Sequence, residues 1–221
     1  MKVLIVSPYR TVAPHFETEL EIAQRHLDRG DQVSVVACLG ELKGCDFNAD
    51  AEHQQCQDCR LRRLHGIQTL NGKVSLRAIG KGQANESEPS AISRARTIDE
   101  LKRHEVDGFD LGYATLSSLV SLTRDPQPDL QQQNAAVTDI SDNALRVWRA
   151  MNRLLDRQRP DRVYVFNGRF ATLRAVLRAC QKAGVDCFVH ERGCDTRHFQ
   201  LFKNRLPHEI DQVDLRMREH W

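Results

Sequence analysis

Lys2 to Ser7 (KVLIVS) is a short β-branched run without polar alternation, as expected of a strand covered on both faces. A polar loop follows from Pro8 to Pro14. Phe16, Leu20, Ala23 and Leu27 then recur at spacings of four, three and four, which stacks them on one helical face. Gly30 stands where such a helix stops, and Gln32 to Cys38 (QVSVVAC) reads as a second buried strand. Strand, helix and strand at this spacing make a βαβ unit with a right-handed crossover.

The cadence returns near the other end of the chain. Asp161 to Asn167 (DRVYVFN) reads as a strand, Leu173, Val176, Leu177 and Cys180 as a helical stripe, Gly184 as its cap, and Asp186 to His190 as the next strand. Between the two units the pattern predicts a polar loop over Gly80 to Pro89 and helices over Ile92–Glu105, Tyr113–Thr123 and Thr138–Gln158. Asp125 to Asp129 (DPQPD) breaks the chain between the last two. A final helix is expected from near Pro207. The expectation is one α/β domain over residues 1–221: a Rossmann-like, mostly parallel sheet with helices on both faces and a cysteine-containing loop insertion. Val3–Val6, Val33–Val36, Val163–Phe166 and Cys187–Val189 should be neighbouring core strands, with their carboxyl ends on one edge.

Charge and composition narrow the function classes. A formal charge of +2 leaves no sequence-wide basic footprint, which argues against a nucleic-acid partner. No apolar run is long enough for a signal-peptide core or a membrane span. Seven cysteines then read as reduced thiols of a cytoplasmic protein.

Three groups of residues could carry chemistry. Cys45, Cys56 and Cys59 read C-x10-C-x2-C in a long polar stretch, and thiolates at such spacing suit tetrahedral Zn2+. His65 is the first choice for a fourth ligand, with His53, Cys38 and Cys194 as other candidates. Thiols without metal, or a catalytic dithiol, remain open. The loop after the first strand (SPYRTVAPHFETE) contains no glycine, which argues against a dinucleotide bound through a Gly-rich turn. His15 stands there instead, at the mouth of the first helix, either as a general base toward an acceptor hydroxyl or as a solvated helix-start residue. The third group follows the later strands: Asn167, Gly168 and Arg169, then Glu191, Arg192 and Gly193, then Asn204 to His208. Arg169 and Arg192 offer forks for phosphate or carboxylate, and Asn167 and Glu191 can pair sugar hydroxyls. The alternative is that these are turn residues, with Glu191 and Arg192 paired to each other.

On the Thr138–Gln158 helix, Arg146, Arg149, Arg153 and Arg157 lie opposite Ala144, Val147, Trp148, Met151 and Leu155. That is an amphipathic helix with a solvated arginine face. As a binding surface it would suit an anionic polymer, a lipid-phosphate acceptor or membrane headgroups.

The opening VLIVSPYRTVAPHFETELEIAQRHLDRGDQVSVVAC resembles the start of GT-B-type glycosyltransferases. VYVFNGRFATLRAVLRACQKAGVDCFVHERG, with the N-x-x-P-H of Asn204 to His208 after it, is similar to bacterial capsule and surface-polysaccharide glycosyltransferases. Some of these carry a cysteine-rich loop of this type. The resemblance implies transfer of a sugar from a nucleotide-sugar co-substrate to a hydroxyl acceptor, a sugar or lipid-linked sugar, held by this acceptor-side half. It also implies a donor-binding C-terminal domain in cis or in trans, which a sequence ending at Trp221 does not include. Two other classes stay open: a non-catalytic carbohydrate- or nucleotide-binding module, and a zinc-stabilised interaction domain.

Overall fold

In the computed structural model, residues 1–9, 13–80, 91–211, 214, 217 and 218 are described. Six strands are present among them: β1 (Lys2–Ser7), β2 (Gln32–Ala37), β3 (Val74–Ala78), β4 (Arg162–Phe166), β5 (Asp186–Arg192) and β6 (Phe199–Lys203). They form one sheet in the order β3-β2-β1-β4-β5-β6. Neighbours from β3 to β5 pair parallel, and β6 runs antiparallel along β5. The four expected core strands are therefore adjacent and parallel, in an α/β Rossmann-like arrangement. The helices are α1 (His15–Asp28), α2 (His53–Gln68), α3 (Ile98–Lys102), α4 (Leu111–Thr123), α5 (Asn134–Gln158) and α6 (Ala171–Ala183).

The sheet packs on both faces. Leu4, Val6, Val36, Val163, Val165, Cys187 and Val189 join the apolar sides of α4, α5 and α6 in the larger core cluster. On α5 the buried residues include Ala144, Val147, Trp148, Met151 and Leu155, as its periodicity predicts. Each fully buried aliphatic side chain of this kind contributes about 1.5–3 kcal/mol relative to exposure. Val3, Ile5, Val33, Val35 and Tyr164 meet Ile22 and Ala23 of α1 on the opposite face. β1 and β4 are uniformly buried past their first residue, and apolar but for Ser7 at the end of β1 and the Tyr164 hydroxyl, because both of their faces are covered.

Several expectations need correction. The Ile92–Glu105 helix is two pieces, a 3₁₀ turn over Ala91–Arg94 and α3. Thr97 is extended, and its side-chain oxygen accepts from the Glu100 amide, so a new helix starts there. The long helix begins at Asn134, not Thr138. The cysteine-containing stretch is not wholly a loop, because α2 carries Cys56 and Cys59. The edge strands β3 and β6 are additions; each is half covered at most, so neither shows a buried-strand run. Residues 81–90, most of the expected Gly80–Pro89 loop, lie outside the described residues, as does part of the expected C-terminal helix. No helix among the described residues is long and apolar enough to cross a membrane.

α1 also turns differently from its apolar pattern. Its buried residues are Phe16, Glu19, Ile22, Ala23 and His26; Leu20 is only partly covered, and Leu27 packs at the margin of the sheet-facing cluster. The reason is α2, which lies against the outer side of α1. A Cβ on Gly66 would stand 2.6 Å from the Phe16 ring and 2.9 Å from Leu20 Cδ1. With those residues under α2, the stripe left for the sheet carries Glu19 and His26.

Candidate active site

Register aligns the carboxyl ends of the central strands. Val6 pairs with Val165, and Phe166 with His190. The chain leaves β1 toward β2 on one side while β4 lies on the other, which makes this edge the switch point where open α/β sheets leave a crevice. Asn167 and Gly168 both take left-handed backbone as the chain turns from β4 toward α6. Gly168 is further constrained by close approach, because a Cβ there would stand 2.9 Å from Leu206. That approach brings His208 to the turn.

His15, Glu19 and His26 lie on the α1 face that meets the sheet. The His15 ring packs on Phe166 at 4.0 Å between centroids. Its Nδ1 is 4.0 Å from Glu191 Oε1, within ion-pair reach but longer than a hydrogen bond. Burial lowers the His15 imidazole from its ordinary value, against the upward pull of Glu191, while His190 and Arg192 push it down further. One turn on, Glu19 Oε1 stands 3.5 Å from Nε2 of the fully buried His190. Both His190 ring nitrogens and Glu19 Oε2 lack a hydrogen-bond partner. Farther along, His26 bridges Asp31 at 2.7 Å and the Tyr164 hydroxyl at 2.9 Å.

The residues expected at this edge divide into three. Asn167 is buried and its side chain is engaged within the protein: Nδ2 donates to Glu191 Oε2 at 2.6 Å, and Oδ1 accepts from the Arg169 amide at 3.0 Å. It orients Glu191, with His208 Nε2 at 3.4 Å beside it. Arg192 is exposed at the rim, near enough to influence His15. Arg169 goes elsewhere. It donates to Ser121 Oγ at 2.8 Å, stacks over Phe170, and lines a separate cavity of about 290 Å³ with Asp46, Ser118 and Thr172.

That second cavity was not legible in the sequence. The Thr172 hydroxyl donates to Tyr9, and Tyr9 donates to Asp46 at 2.9 Å. Burial raises the Asp46 carboxyl above the usual carboxylate range, against hydrogen bonds from Ser118 and Tyr9. Glu19 and His190 were not expected as a pair either. The one sequence signal for Glu19 is the spacing of His15, Glu19, Ile22 and His26, a helical stripe in which three of the four residues are polar.

Cys45, Cys56 and Cys59 line one cavity of about 240 Å³, and Cys38 lines it too. His65 does not; it is exposed toward the end of α2. Burial pushes the Cys45 thiol up to about 12 and raises Cys38 as well, opposite to what a nucleophilic thiolate needs. Among the described residues, Cys194, Asp195 and His198 form the one group of three such side chains with ligand atoms all within 4.8 Å of one another. They lie between β5 and β6, with Cys194 and His198 exposed.

No protein-family model matches the chain, and no curated protein or solved structure matches it.

Proposed function

We propose that this chain is the acceptor-side half of a cytoplasmic sugar transferase, in which the His15 edge holds a hydroxyl acceptor and His15 takes its proton. The observation that carries the reading is the His15–Glu191 pair at the switch-point edge, 4.0 Å apart and partly shielded from water. Burial keeps the imidazole neutral at neutral pH, the form able to accept a proton. Glu191, held by Asn167, favours the tautomer with its proton on Nδ1 and leaves Nε2 as the base. The acceptor oxygen attacks the anomeric carbon of a nucleotide sugar, the bond from that carbon to phosphate oxygen breaks, and the nucleotide leaves with the electron pair. Nε2 receives the hydroxyl proton. Arg192 at the rim offers charge-assisted hydrogen bonds to a phosphate or carboxylate on the acceptor. The nucleotide-sugar donor comes from a second domain, in cis or in trans. The α5 arginines are the surface for contact with an anionic membrane face.

The test is sugar transfer from a panel of nucleotide sugars to sugar and lipid-linked acceptors, by the chain joined to its donor domain. His15→Ala should reduce turnover by roughly 10²–10⁴-fold with little change in acceptor affinity, whereas Arg192→Ala should weaken acceptor binding by about 1.5–3 kcal/mol. Full turnover in His15→Ala overturns the assigned base. Failure of the wild-type protein to bind any sugar phosphate or nucleotide sugar overturns the reading.

A further inference from the structure

We infer that Cys38, Cys45, Cys56 and Cys59 form a structural zinc site in which Cys38, not His65, is the fourth ligand. The inference stands independently of the sheet-edge reading. Three segments bring the thiols to one cavity: Cys38 follows β2, Cys45 sits in a turn bridged to Asn48, and Cys56 and Cys59 lie one turn apart on α2. A helical i, i+3 pair presents two sulfurs to the same side, and two loops supply the others.

The second observation is what surrounds the sulfurs. Three of the four accept a hydrogen bond from nitrogen. The Gly40 amide donates to Cys38 at 3.3 Å, the Asn48 side-chain amide to Cys56 at 3.3 Å, and Arg63 to Cys59 at 3.6 Å. Three neighbouring sulfurs placed as acceptors fit the environment of metal thiolates, whose excess negative charge N–H donors stabilise. Arg63 adds a buried positive charge, and it ties the assembly to the sheet by donating to the Ser7 and Cys38 carbonyls.

The packing leaves a role for such a cross-link. Of the 16 residues of α2, only Arg63 is buried, so little hydrocarbon anchors this helix. The four donors are all soft, which selects zinc over hard cations. No three of the sulfurs stand within 4.8 Å of one another, so binding draws the Cys38 and Cys45 loops toward the helix pair until Zn–S distances reach ~2.3 Å. Gly44, Cys45 and Phe47 also line the Arg169 cavity, so the same ion stiffens its wall.

Elemental analysis of the full chain purified without chelator should find about one zinc per chain. Co2+ exchanged into the protein should give the intense charge-transfer bands of an all-sulfur tetrahedral site. Cys38→Ser and Cys59→Ser should lose the metal, and His65→Ala and Cys194→Ser should keep it. Should the two ligand variants not fold, mercurial titration of the wild-type protein decides, with zinc release tracking modification of these four thiols. Metal-free protein, iron in place of zinc, mixed nitrogen–sulfur ligation of Co2+, or metal loss in His65→Ala or Cys194→Ser overturns the inference.

Discussion

The two faces of the sheet are built from different chemistry. The face under α4, α5 and α6 is filled mainly by hydrocarbon, including the stacked pair Phe109 and Trp148, with its ionic network, Asp110 with Arg174 and Arg178, toward the solvent side. The face under α1 buries Glu19, His26 and His190 among its apolar residues. Hydrocarbon burial stabilises without needing partners, whereas each buried polar group costs stability unless hydrogen-bonded. The unpartnered atoms under α1 belong to the titratable pair Glu19 and His190, whereas the one on α4 is the Thr115 hydroxyl, so the work is divided: one face secures the fold mainly with hydrocarbon and the other carries titratable groups to the candidate edge.

The largest test of this division lies on the apolar face. Trp148→Ala should destabilise the protein by about 3–5 kcal/mol in urea denaturation while leaving the His15 edge intact in whatever molecules fold. A cost under about 1 kcal/mol would remove the asymmetry, because it would fall below the range for large core truncations.

A smaller effect is expected at the margin of that face. Asp110 is partly buried, which alone would raise its carboxyl, but hydrogen bonds from Arg178 and Arg174 hold it far below the usual range. Asp110→Asn should cost about 1.5–3 kcal/mol, toward the low end because solvent reaches the cluster. The folded-state value lies below the unfolded one, so this contribution is present above about pH 4 and fades as the pH falls through the lowered value. Denaturant titrations of wild type and variant should therefore converge in acid. A gap that persists undiminished at low pH would assign the effect to packing instead of charge.

The smallest effect belongs to the α1 face. His15 faces Glu191, Glu19, His190 and Arg192, and burial lowers its imidazole below the ordinary value. The neutral form is then the one the fold favours. Its contribution is whole above about pH 6.5 and is lost as the pH falls through the lowered value. NMR titration should find the His15 ring changing protonation at lower pH than a free histidine, and His15→Gln should flatten that part of the stability profile. A raised titration would mean that Glu191 outweighs burial, and His15 would then be charged and unfit as a base near neutrality.

Legibility followed burial. Val3 to Val6 and Val163 to Phe166 could be read as central strands because full coverage on both faces admits only apolar residues. The inner face of α5 was equally plain, since a wide apolar stripe has one way to lie on a core. α2 was not legible: its inward side is Arg63, two cysteines, Gly66 and the single aliphatic Ile67, which make no hydrophobic period. At the candidate site, His15, Asn167, Glu191 and Arg192 were found from their positions at element ends, but Arg169 was expected with them and lines the other cavity. Two residues apart on one turn, Asn167 and Arg169 share the sheet edge, and their side chains separate because one meets Glu191 and the other Ser121.

The sequence by itself determined the alternation of strands and helices, the parallel core and the edge to which the polar residues come. Those are local matters, set by which positions must be apolar and by where each element stops. Only the tertiary structure decided that α1 turns Glu19 and His26 toward the sheet, that Cys38 replaces His65 beside the other three cysteines, and that Tyr9 meets Asp46 and Thr172. Each of these depends on contacts between segments far apart in sequence. A side chain's partner is chosen by which surface is left after the larger apolar faces have packed, and no pattern within one segment records that choice.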